Sequence, residues 1–269
     1  MTKIRPFLKW AGSKYNCLHQ VISSLPPGQR LIEPFAGSGV IFMNTNYPAY
    51  LMGESNSDLV HLFNTLKNKG LFFVDYCKQF FEPEMNCKEK YYELRDAFNK
   101  INKSQKKSAM FLYLNRHGYN GLCRYNSKGI YNVPFGLYTK PYFPHQEMLL
   151  FHQKSAQAEF IHNDFRKTFQ MAEKGDVIYC DPPYVPITIK NRPLPYTQKN
   201  FSDDDQIELA ELARATADRG IPVIISNHDT EFTREHYKNA QIKSFQVSRL
   251  ISCQSERRLP VNELIAVFK

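Results

Sequence analysis

Arg30-Leu-Ile-Glu-Pro-Phe-Ala-Gly-Ser-Gly39 decides the fold class. Its first four residues suit a short buried strand, and the segment behind them is a glycine-rich turn. Tyr50-Leu-Met-Gly53 reads as a second strand that ends at an acidic residue, Glu54. The chain between the two is long enough for one short helix, so the whole reads as a βαβ unit. Helical spacing then takes over: Leu59, Leu62, Phe63 and Leu66 share a face behind Ser57, a candidate N-cap. Further helices are expected around Lys88–Lys100 and Gln105–His117, and residues 118–143 read as loops with a hairpin. After about His145 the α/β alternation resumes, with strands at Glu159-Phe-Ile-His162 and Asp176-Val-Ile-Tyr-Cys180. Ile207, Leu209, Leu212 and Ala213 lie on a helix opened by Ser202 and three aspartates, whose charges suit a helix N-terminus. Ile221-Pro-Val-Ile-Ile-Ser226 is expected as a buried strand and Val261–Phe268 as a closing one. Residues 184–200 read as a mobile, proline-containing loop and 249–258 as an exposed turn. The pattern predicts an α/β fold with a doubly wound, Rossmann-like sheet and an inserted, mainly helical plus hairpin domain. The insert is placed at residues 57–144, with 1–56 and 145–269 forming the discontinuous host domain.

Composition narrows the function classes. With 269 residues, 42% of them hydrophobic, the chain can bury a core without staples, which excludes a disordered protein. No apolar run approaches the ~20 residues of a membrane span. The basic start, Met1-Thr-Lys-Ile-Arg-Pro6, leads into no apolar stretch, so a cytoplasmic protein without a secretory signal is expected. The six cysteines are scattered without a Cys-x-x-Cys pair, and the eight histidines include no ligand-type pairing. Neither a disulfide framework nor a metal site is expected. Ser38 and Ser226 have no histidine and aspartate arranged for hydrolase chemistry, and His228 reads as a structural residue at a strand end. Net charge is +9, and residues 97–146 carry eight lysines and arginines with no aspartate or glutamate. Ten aromatic residues are interleaved with those cations. A solvated face accounts for lysines but not for so many rings. Cations that neutralise phosphates, beside rings that stack or wedge, point to nucleic acid.

Asp181-Pro182-Pro183-Tyr184 follows the strand at 176–180, where open α/β sheets place their ligands. Two prolines fix the backbone, so the Asp181 carboxylate and the Pro182 carbonyl become two neighbouring acceptors with an aromatic ring beside them. That set suits an exocyclic amine on a flat base. The Phe35-Ala36-Gly37-Ser38-Gly39 turn is neither a dinucleotide fingerprint nor a phosphate loop, which favours a nucleoside without phosphates. Glu54, at the tip of the next strand, is placed to bind a ribose diol.

These motifs resemble an S-adenosylmethionine-dependent amino methyltransferase, and more specifically the DNA adenine methyltransferase (Dam) family over nearly the whole chain. Phe7-Leu-Lys-Trp-Ala-Gly-Ser-Lys14, Glu33-Pro-Phe-Ala-Gly-Ser-Gly39 and Ile225-Ser-Asn-His-Asp229 are similar to family motifs. So are Leu112-Tyr-Leu-Asn-Arg-His-Gly-Tyr-Asn-Gly-Leu-Cys-Arg-Tyr-Asn126 and Asn132-Val-Pro-Phe-Gly136, in the recognition segment. The resemblance implies a Rossmann-like methyltransferase sheet, S-adenosylmethionine as methyl donor, no metal, and a monomer acting on double-stranded DNA. Trp10 and Lys14 would line the cofactor site, with Phe35, Gly37 and Gly39 beneath it and Glu54 on the ribose. Glu54 stands where the family often has Asp. Asn163-Asp164-Phe165 resembles the segment that holds the cofactor's adenine.

The family's target is adenine N6 in GATC. On that basis Lys9 would contact the first guanine, Tyr119 would wedge into the duplex beside Asn120, and Arg124 would read a guanine. Leu122 and Pro134 would touch a thymine methyl, supported by Tyr138. Arg95, Arg116, Asn126, Asn132 and Lys140 would contact phosphates. Leu137 departs from an Arg of a close relative. Asp181, Pro182, Pro183 and Tyr184 would hold an adenine flipped from the stack. The Asp-Pro-Pro-Tyr turn by itself equally fits cytosine N4, an RNA adenine or another DNA sequence, and a DNA-binding protein without catalysis is the remaining reading.

Overall fold

The computed structural model describes residues 3–185, 201–247 and 261–269. Residues 186–200 of the loop expected at 184–200, and the whole turn expected at 249–258, lie outside them. Seven strands form one sheet: β1 (Arg30–Glu33), β2 (Ala49–Glu54), β3 (Ala158–His162), β4 (Asp176–Cys180), β5 (Val223–His228), β6 (Gln241–Val247) and β7 (Val261–Phe268). Their order is β3-β2-β1-β4-β5-β7-β6. Nine α-helices lie among the described residues: α1 (Leu18–Ile22), α2 (Val40–Asn44), α3 (Ser57–Lys78), α4 (Lys88–Lys100), α5 (Gln105–His117), α6 (His145–Ser155), α7 (Phe165–Gln170), α8 (Asp203–Asp218) and α9 (Glu231–His236). None of them is long and apolar enough to cross a membrane. The fold is mixed α/β and Rossmann-like, as the alternation of the sequence predicts.

The chain divides into two compact units, at boundaries unlike those of a simple insert. Unit 2 spans Asn16–Ala36, Asn46–Gly53 and Asn163–Lys269, and contains β1, β4, β5, β6, β7 and all of β2 but Glu54. Here β1 pairs in parallel with both β2 and β4, and β4 pairs in parallel with β5. The chain therefore leaves β1 in one direction and returns to its other side, which makes the β1/β4 boundary a topological switch point. The strands read as continuous apolar runs because both faces are covered: Leu31, Ile32, Val177, Ile178, Ile224 and Ile225 are all buried. Arg30 makes a bidentate ion pair with its register partner Asp176, at 3.1 and 2.6 Å. That pair fixes β1 against β4 at the end opposite the switch-point loops. The strand expected from Ile221 starts two residues later, after Pro222, and β6 closes the sheet against β7 in antiparallel register.

Unit 1 spans Met1–Tyr15, Gly37–Thr45 and Glu54–His162. Its core is aromatic. Phe63 of α3 meets Phe151 of α6 at 4.9 Å and Phe160 of β3 at 5.3 Å, and Phe7 packs edge-on against Phe151 at 5.0 Å. Leu59, Leu62, Phe63 and Leu66 are buried on the expected face of α3, but the cap is Asn56 rather than Ser57. Asn56 has extended backbone geometry and its side chain accepts from the Asp58 and Leu59 amides, whereas Ser57 is already helical. Halfway along, α3 kinks at Gly70, with φ 49° and ψ −127°. A Cβ there would sit 2.5 Å from Nε2 of His152, so both the backbone and the neighbour require glycine.

Candidate active site

In unit 2 the two chemically loaded turns leave neighbouring parallel strands at their carboxyl ends. Pro34-Phe35-Ala36 follows β1, and Asp181-Pro182-Pro183-Tyr184 follows β4. Pro182 is buried, Pro183 is exposed, and Asp181 and Tyr184 are half-buried. The Tyr184 hydroxyl donates to Oε2 of Glu263 on β7 at 3.2 Å, and its ring stands edge-on to His228 at 4.8 Å. Burial and the Asp181 carboxylate push the phenol well above its ordinary range, so it stays protonated. Phe35 stacks on Phe165 at 5.5 Å, and Phe201 closes edge-on against Phe35. Asp164 caps α7 through the Arg166 amide, and the Arg166 guanidinium bonds both of its oxygens. The same guanidinium reaches Asp205 and Glu208 of α8 and lies 4.4 Å from the Phe165 ring.

Unit 1 holds the other residues expected around a cofactor. Gly37 has φ 49°, and a Cβ on it would lie 3.0 Å from the Trp10 indole nitrogen. The glycine thus lets the indole close over the backbone. Its amide donates to Oε2 of Glu54 at 3.0 Å, while Oε1 accepts from the Asn56 amide and the Ser55 hydroxyl. Burial raises the Glu54 carboxyl above the ordinary glutamate range, against the pull of those donors. Gly39, with φ 71°, is the left-handed N-cap of α2. Lys14 is only 5% exposed and donates to the Gly12 carbonyl. Within unit 1, a half-buried carboxylate at a strand tip and a bare glycine under an indole suit a nucleoside lacking phosphates. The residues fit S-adenosylmethionine.

The recognition segment also belongs to unit 1. Asn115 of α5, buried, accepts from the Lys9 amide and donates to the carbonyls of Lys9 and Gly121. The Lys9 ammonium lies 3.8 Å from the centre of the Tyr138 ring, and a Cβ on Gly121 would overlap the Lys9 stem. Tyr119 is 44% exposed and Asn120 adopts a left-handed φ of 52°. Arg124 is exposed and aligned by Asn132, whose side-chain oxygen accepts from its Nε at 2.8 Å. The Asn126 side chain organises the next turn through the Lys128 and Ile130 amides. Leu122 is half-buried, with its carbonyl accepting from Tyr131, while Pro134 and Lys140 are exposed. Two further candidate phosphate contacts bond carbonyls of the protein. Arg116 is 8% exposed with Nε on the Tyr142 carbonyl, and Arg95 bonds the Val133 carbonyl. Both brace the insert. Asn115 carried no assigned role from sequence; it lies inside the recognition motif, but a helical asparagine gives no signal of which backbone it will hold.

A doubly wound sheet with a rigid acceptor turn at its switch point is the arrangement of a Rossmann-like transferase acting on an amine. The chain belongs to the D12 class of N6 adenine-specific DNA methyltransferases, whose family model matches residues 10–251. It is 44% identical over 269 residues to the DNA adenine methylase of Escherichia coli (strain K12), covering 100% of this chain and 97% of that one. The DNA adenine methylase of Vibrio cholerae serotype O1 is 45% identical at the same coverage. That of Serratia marcescens is 44% identical over the full length of both chains.

Proposed function

We propose that this enzyme methylates adenine N6 within double-stranded GATC, on an adenine flipped out of the duplex. The observation that carries the chemistry is Asp181-Pro182-Pro183-Tyr184 at the carboxyl end of β4, beside the switch point. Adenine N6 is engaged in a base pair inside the duplex, so extrusion at a cost of a few kcal/mol must come first. Asp181 and the Pro182 carbonyl accept hydrogen bonds from the two amine protons, turning the nitrogen lone pair toward the donor. Tyr184 stacks on the base. When bound, S-adenosylmethionine supplies a methyl group already activated by its sulfonium. Glu54 takes the ribose hydroxyls, Asp164 and Phe165 the cofactor's adenine, and Trp10, Lys14, Phe35, Gly37 and Gly39 line its site. The rate then comes from orientation and fixed dipoles.

For the DNA, Lys9 contacts the first guanine and Arg124 another, while Tyr119 and Asn120 enter the stack at the left-handed turn. Leu122, Pro134 and Tyr138 form the apolar contact to thymine. Asn126, Asn132 and Lys140 remain for phosphates. Residues 57–144, joined by Lys9, carry recognition, and the rest of 1–56 with 145–269 carries chemistry. Incubation with S-adenosylmethionine and two duplexes, one with a single GATC and one with it scrambled, tests this by mass spectrometry. N6-methyladenine in the first alone is the expected result. Methylation of both would overturn the GATC assignment. Asp181→Ala should abolish turnover while leaving duplex affinity largely intact, and near wild-type turnover by that variant would sink the catalytic assignment.

A further inference from the structure

Ser226, Asn227 and His228 end β5, all three are buried, and each bonds a different part of residues 181–185. Ser226 Oγ donates to Asp181 Oδ1 at 2.9 Å. The Cys180 carbonyl, at 3.3 Å, competes for the same proton. A hydroxyl has one proton, and the nearer, charged acceptor holds it. The Tyr179 hydroxyl, 2.9 Å from Ser226 Oγ, is therefore the donor in that contact. Burial lifts this phenol well above its usual range, so it keeps its proton. Asn227 Oδ1 accepts from the Val185 amide and its Nδ2 donates to Oε1 of Gln206. Gln206 in turn donates to the Pro183 carbonyl at 2.6 Å. His228 Nδ1 lies 2.6 Å from the Val185 carbonyl and so carries a proton.

The prolines fix the backbone of the turn, but they leave the two side-chain torsions of Asp181 undetermined. We propose that Ser226 is a positioning residue for methyl transfer: its hydroxyl, oriented by Tyr179, fixes the rotamer of the Asp181 carboxylate that receives the target amine. The inference rests on the role of Asp181 proposed above. Its partner along the strand, Asn227, acts on the backbone through Gln206, so the two residues divide the task between carboxylate and turn.

Single-turnover methylation, measured at saturating S-adenosylmethionine on a duplex that the wild type methylates, tests it. Ser226→Ala, close to isosteric, should slow the methyl-transfer rate constant by about 10- to 100-fold, the scale of a misplaced reacting group. Affinities for S-adenosylhomocysteine and duplex should stay within about twofold, and the melting temperature should barely move. Tyr179→Phe should give a smaller loss, and the double variant should be no slower than Ser226→Ala alone, because Tyr179 acts only through Ser226. A Ser226→Ala rate within about twofold of wild type overturns the proposal, as does a loss confined to cofactor affinity or to stability. Additive losses in the double variant overturn the relay from Tyr179. Asp181→Ala is run alongside: if it still turns over, the role of Asp181 fails; if it is dead while Ser226→Ala is normal, only the role of Ser226 fails.

Discussion

Lys9 is held along its whole length before any DNA arrives. Asn115 grips its backbone on both sides, Gly121 leaves room for its stem, and Tyr138 lies under its ammonium. Burial and the nearby Arg116 guanidinium lower the ammonium from its ordinary value to about 8. Below that pH the group is a cation able to donate to guanine; above it the charge is lost. Affinity for the target duplex should therefore weaken as pH rises through about 8, because the bound DNA favours the protonated form. Lys9→Met should bind more weakly and lose this component of the pH dependence. Equal pH slopes for wild type and variant in a fluorescence-anisotropy titration would remove Lys9 from the contact. The lysine itself was legible in sequence through its motif. Its environment was not, since Asn115 lies more than a hundred positions away and the distance closes only in the folded unit.

At the scale of elements, α3 shows how near and how far local reading reaches. Asn56 and Ser57 are both good cap residues one position apart, and only backbone geometry separates them. Asn56→Ala should cost about 1 kcal/mol, lowering the melting temperature by a few degrees on the usual scaling for this size. Ser57→Ala should be close to neutral, and calorimetry on the pair decides the cap. The helices α4 and α5 stand out in the sequence by the helical spacing of their apolar residues, and the strands β1, β2, β4 and β7 by their short apolar runs. The strand β6 does not: its burial alternates weakly along Gln241–Val247, and pairing with β7 holds it in place. Helix α9 is six residues long and depends on a capping box between Thr230 and Thr233. Arg116, a candidate phosphate contact, is 8% exposed for a related reason. Charge suggests exposure, but a guanidinium that can reach the Tyr142 carbonyl is satisfied inside. In the active site, Asp-Pro-Pro-Tyr was visible as a string, whereas the β5 residues that hold it depend on strand adjacency.

For the molecule as a whole, charge is unevenly placed. Eight cations without a carboxylate lie in residues 97–146, against a total of +9, so nearly all the net charge sits in one stretch. Binding to duplex should weaken steeply with salt as counterions are released. Lys140→Gln should reduce the slope of log affinity against log salt by about 0.9, equally for GATC and scrambled duplexes. Arg116→Gln should leave that slope unchanged, since its guanidinium is internal. An unchanged slope for Lys140→Gln would exclude a phosphate contact there. Gly70 carries a different whole-chain consequence. Any base change that replaces a glycine codon's meaning introduces a residue with a Cβ, and at this bend the Cβ meets the His152 ring. A smaller residue at 152 would relieve that clash but not the left-handed backbone, so no change there frees position 70. A saturation library should find position 70 held by glycine alone, and varying position 152 with it should not admit other residues.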